Sequence, residues 1–119
     1  MSIEEQFKKE LKEAVEHMTG EKEFYLVRYW FGSIDKKCAC PLGCLIAKDG
    51  SPIEGGKVIA QIKERYNELS DEWLGSFLVG YDGLHKGEKL EDLEVNKDAF
   101  AFGEEIYTQF KDKVKTYLE

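Results

Sequence analysis

Lys22-Glu23-Phe24-Tyr25-Leu26-Val27-Arg28-Tyr29-Trp30-Phe31 is the segment at which a purely helical chain and a mixed one part company. Its aromatic and β-branched content favours a strand, because such side chains pack well on a pleated surface. Against that, the segment does not alternate cleanly between polar and apolar, and no second strand is obvious elsewhere. Phe24, Val27 and Phe31 also fall on one helical face. A lone strand with unpaired backbone groups is costly. The sequence therefore points to an all-α bundle of five or six helices, with one short β element at residues 23–31 as the alternative.

Upstream, Ser2 and Glu5 form a capping box, and Ile3, Phe7, Leu11, Ala14, Val15 and Met18 recur every three or four residues. Gly20 is placed to end this helix near Thr19. Downstream, residues 32–37 form a polar connector into Cys38-Ala39-Cys40-Pro41-Leu42-Gly43-Cys44. Pro41 suits the first position of a short helix reaching about Ala47, with Cys40 as its N-cap. Val58, Ile59, Ile62, Tyr66 and Leu69 mark another helix. Ser70 caps the next, which buries Trp73, Leu74, Phe77 and Leu78 and stops at Gly80-Tyr81-Asp82-Gly83. Residues 84–95 are charged and weakly periodic, hence an exposed loop. Asn96 then caps a long final helix with Phe100, Gly103, Ile106 or Tyr107, Phe110, Val114, and Tyr117 or Leu118 turned inward. With no linker or repeat, residues 1–119 are expected to form a single helical domain.

Apolar residues make up 42% of the chain and charged residues 34%, the balance of a globular protein and not of a disordered one. Lys and Arg number 17 against 24 Asp and Glu, for a net charge of −7. Phosphate backbones repel such a surface unless the basic residues gather on one face. Here Lys8, Lys9 and Lys12 are interleaved with Glu4, Glu5, Glu10 and Glu13. A basic protein partner is therefore expected, and direct nucleic-acid binding is not. The opening residues lack the basic-then-apolar pattern of a secretory signal, and residues 24–31, broken by Arg28, are too short to cross a bilayer. Together with an odd number of cysteines, these features predict a cytoplasmic protein with reduced thiols and no membrane partner.

The sulfur cluster is the first candidate for chemistry. Cys38, Cys40 and Cys44 offer three zinc ligands, with His85 or His17 as a fourth, although their spacing is not a common zinc pattern and no second ligand pair follows. As a thiol site, Cys40 would have a lowered pKa at the positive end of the helix and Cys44, one turn on, would resolve. His85 and Asp82 would complete a nucleophile–base–orienter set. The plainer reading makes Cys44 a small buried apolar residue and the others loop thiols, with no cofactor. It is preferred.

The second candidate is acidic. Glu88, Glu91, Asp92, Glu94, Asp98, Glu104 and Glu105 gather around the start of the last helix. A solvated face accounts for them. The sharper reading is a surface that imitates a nucleic-acid backbone and docks on a basic groove of another protein. The expectation is therefore a non-enzymatic acidic protein-binding domain, with a specific role as an inhibitor of a nucleic-acid-handling partner, of the kind mobile elements carry. A cysteine-dependent module, zinc-stabilised or redox-active, is the alternative.

Overall fold

The computed structural model describes residues 2–20, 23–84 and 87–115 of the chain. Among these the protein is mostly helical, with five α-helices and four short strands. The chain divides into two compact units, residues 1–68 with 112–119, and residues 69–111.

In the first unit, α1 (Ile3–Thr19) starts where its cap predicts, with Ser2 Oγ accepting from the Glu5 amide at 3.1 Å. Phe7, Leu11, Ala14, Val15 and Met18 form its buried face, and the helix packs on α2 (Pro41–Lys48). Each large aliphatic or aromatic side chain buried this way contributes about 1.5–3 kcal/mol relative to exposure. Beyond α2, α3 (Val58–Arg65) is shorter than its apolar pattern suggests. Tyr66 and Leu69 are buried past its end.

The helical expectation for residues 22–31 is corrected by the structure. Lys22 lies outside the described residues, and no helix forms in the remainder. Tyr25–Val27 is β1, at an inner position of a four-stranded sheet ordered β2-β3-β1-β4. Its neighbours are short: β2 is Gly32–Ser33, β3 is Cys38–Ala39 and β4 is Val114–Lys115. Strand β1 runs parallel to β3, pairing Tyr25 with Cys38, and parallel to β4, pairing Leu26 with Val114. Strands β2 and β3 form an antiparallel hairpin, whose turn is closed by the Lys37 amide donating to the Ile34 carbonyl at 3.0 Å. The objection to a lone strand thus falls away, because β1 has backbone partners on both sides. Two-residue strands carry no alternation for a periodicity argument to detect.

The last helix is also shorter than expected. In the second unit α5 runs from Lys97 to Gln109, and Lys111–Lys113 form a 3-10 turn leading into β4. The periodicity places Val114 on the inner face of that helix. Its backbone instead joins the ladder with Leu26, where a β-branched side chain fits. Tyr117 and Leu118 lie outside the described residues.

The second unit is built on α4 (Asp71–Asp82) packed against α5. Both helices have side-chain caps: Ser70 Oγ accepts from the Trp73 amide and Asn96 Oδ1 from the Ala99 amide, each at 3.0 Å. Trp73, Phe77 and Phe102 form an aromatic layer with ring centroids 5.4–6.4 Å apart, a spacing that favours aromatic pairs. Gly80 does not stop α4, as its sequence context suggests; it lies inside the helix, which ends at Asp82 before Gly83 at φ +88°. Gly80 and Gly103 are where α4 and α5 touch through backbone. A Cβ on Gly80 would run into the Phe100 carbonyl, and one on Gly103 into the Phe77 carbonyl and the Tyr81 amide. Among the described residues, no helix is long and apolar enough to cross a membrane.

Candidate functional site

The three cysteines occupy the junction between β3 and α2. Cys38 is in the strand, Cys40 takes the N-cap position with extended backbone and no side-chain capping bond, and Cys44 lies one turn into the helix. Gly43 lets this turn rest on the preceding hairpin, because a Cβ there would meet the Phe31 carbonyl. All three are buried thiols outside any disulfide. Burial pushes the Cys44 thiol well above its ordinary pKa, and the neighbouring Cys40 and Cys38 add to the shift. That environment holds Cys44 protonated, whereas attack or metal ligation needs the thiolate. Among the described residues no three His, Cys, Asp or Glu side chains are grouped to hold a metal ion. His85 lies outside the described residues. His17 is on α1 and Asp82 at the end of α4.

The acidic candidates all belong to the second unit. Glu88 precedes a 3-10 turn formed by Leu90–Asp92, which contains Glu91; Glu94 follows the turn. Asp98 sits in the first turn of α5, where the positive helix end favours a carboxylate. Glu105, two turns on, shares its side of the helix, with Glu104 beside it. Each of these six side chains is exposed; that of Asp92 lies outside the described set. The segregation extends to the whole unit. Residues 69–111 hold ten Asp and Glu against four Lys, a net −6 out of the chain's −7. The other unit, with fourteen acidic and thirteen basic residues, is close to neutral. Interleaving of charges along α1 gives no hint of this partition.

Two further features escape the sequence. An open cleft of about 610 Å³ in the first unit lies beside Glu10, Lys48, Asp49, Arg65 and Tyr66. Several of its polar groups are paired with one another. The Tyr66 hydroxyl donates to Glu10 Oε2 at 3.0 Å, and Gln6 Nε2 donates to Oε1 at 3.3 Å. The Arg65 guanidinium forms an ion pair with Asp49 and donates to the Leu45 carbonyl at 3.3 Å. Burial, then the Glu10 hydrogen bond, raise the Tyr66 pKa. These contacts tie α1, α2 and α3 together, so the cleft serves as a structural seam. No local pattern links Glu10 to Tyr66, which lies 56 positions away.

The second feature is an apolar group on the turns flanking β2. Tyr29, Trp30 and Ile34 are 50%, 41% and 45% exposed. Tyr29 adopts φ +66°, a backbone conformation uncommon for a bulky residue, and Lys36 Nζ stands 5.5 Å from the Trp30 ring centre. A signal was available in the aromatic run Tyr29-Trp30-Phe31, but a helical reading of residues 22–31 hid it. Comparison with family models, curated proteins and solved structures yields no match.

Proposed function

We propose that this protein is a small protein-binding module that presents its acidic helical unit to a basic surface of a partner. In this reading it competes with nucleic acid for that surface and so inhibits the partner. The observation that carries the proposal is the concentration of nearly all the net charge, −6 of −7, in residues 69–111. A field of one sign confined to one unit steers a positively charged surface toward it and repels anionic competitors. The buried, protonated Cys44 supports a packing role for at least that thiol and no reaction at it.

The test is capture of the partner from host extract, followed by two elutions. Salt should release it steeply, as screened charge–charge attraction requires. Duplex DNA or RNA should displace it at low ionic strength. The variant carrying Glu88→Gln, Glu91→Gln, Glu94→Gln, Asp98→Asn, Glu104→Gln and Glu105→Gln should retain its circular dichroism spectrum and lose the partner. A partner held equally by this variant, or indifferent to nucleic acid, refutes the proposal.

A further inference from the structure

The acidic unit contains a hollow that its net charge does not explain. Leu90, Leu93 and Val95, with Glu91 and Lys97, line a depression of about 460 Å³. Leu90 is 42% exposed, one of the few large apolar side chains left so open among the described residues. The surrounding stretch, residues 88–98, is otherwise charged apart from Asn96, with five carboxylates against Lys89 and Lys97. Three apolar side chains gathered around one hollow in such a loop are costly to leave in water, and their position suits an anchor site.

The hollow is also held in shape. The Leu93 amide donates to the Leu90 carbonyl and the Val95 amide to the Leu93 carbonyl, each at 3.1 Å. The following Asn96 amide donates to Ser76 Oγ at 2.8 Å, on the buried face of α4, while the Asn96 side chain caps α5. A site fixed before binding avoids the ordering cost that weakens flexible loops.

We infer that this depression seats one large apolar side chain carried on a lysine- or arginine-rich segment of a partner protein. The inference rests on the acidic unit being the partner-facing surface and adds the chemistry of what binds there. The occupant follows from charge complementarity: the apolar floor takes the anchor, while Glu88, Glu91, Glu94 and Asp98 are exposed within the same stretch to meet its cationic flanks. A segment with charge alone gains only screened attraction. A segment with an anchor gains apolar burial as well.

Two short fluorescein-labelled peptides of equal lysine content provide the test, one with a central phenylalanine and the other with serine in its place. Titrated by anisotropy against the full chain at low salt, the phenylalanine peptide should bind about tenfold tighter, equivalent to about 1.4 kcal/mol. Leu90→Ala with Leu93→Ala should abolish that preference and leave serine-peptide binding unchanged. Leu90→Ser, a single neutral change at an exposed position, should do the same should the double variant lose its fold. Glu91→Gln with Glu94→Gln should weaken both peptides. Equal affinity for the two peptides overturns the anchor site and leaves the acidic surface standing. Binding of neither peptide overturns both. A phenylalanine preference that survives in the leucine variants overturns the placement in this hollow.

Discussion

Two glycines in the second unit should respond to the same substitution with opposite signs. Gly75 lies in the interior of α4 on an exposed face, and a Cβ added there meets nothing within 4 Å. Gly75→Ala should therefore stabilise the protein by about 1 kcal/mol, the helix-propensity difference between the two residues. Gly103 lies in α5, and its added Cβ would overlap the Phe77 carbonyl oxygen and Tyr81 amide nitrogen of α4 and stand 3.0 Å from the Gly80 carbonyl carbon. These are backbone atoms and cannot rotate aside. The helices must separate, which opens the aromatic layer of Trp73, Phe77 and Phe102. Overpacking costs about 1–3 kcal/mol, and contact with helix backbone belongs at the upper end. After the propensity gain of about 1 kcal/mol, Gly103→Ala should destabilise by about 2 kcal/mol. Urea denaturation followed by circular dichroism reads both changes as opposite shifts in midpoint at a constant slope. Thermal melts should move by about 4 °C per kcal/mol for a chain of this size. A Gly103→Ala protein as stable as wild type, or a Gly75→Ala protein less stable, would refute the inferred backbone contact.

Other expectations follow from individual contacts. The Cys44 thiol has its pKa raised in the folded chain by burial, so the unfolded chain releases that proton first, near pH 8.5. Its contribution to stability is complete about one pH unit below that value and is lost progressively as pH rises through it toward the raised folded pKa. The stability gap between wild type and Cys44→Ala should thus narrow between about pH 7.5 and 9.5 in urea titrations. Tyr66→Phe removes the donor to Glu10 Oε2 and should cost about 1 kcal/mol, with a double-mutant cycle against Glu10→Gln showing coupling. Asn96→Ala removes a helix cap and should cost about 1 kcal/mol. Ser76→Ala, which strips the Asn96 amide of its acceptor, should loosen the same corner, measurable as faster hydrogen exchange at that amide.

Local signals in the sequence locate most of the helices. Ser2, Ser70 and Asn96 cap helices because each side chain acts on an amide three residues ahead. Pro41 opens α2 because its missing N–H is no loss there. The sheet is much less legible. Val114 meets Leu26 across 88 positions, and neither residue's neighbours record the pairing. Gly80 and Gly103 look like punctuation or an ordinary inward position until the facing helix is known. The acidic residues are all visible in the sequence, yet their confinement to one unit emerges only when the boundaries at 69 and 111 are known. Leu90, Leu93 and Val95 have no helical or strand period, because a hollow in an irregular loop obeys neither.

The parallel ladder between β1 and β4 makes the first unit discontinuous, interrupted by the whole of residues 69–111. A chain emerging from the ribosome would complete the helical pair α4 and α5 from near neighbours while β1 still awaited its second partner. Translation must reach Lys115 before that open edge closes. Until then the side of β1 turned away from β3 is an open strand edge, and such edges are prone to mispair with another chain.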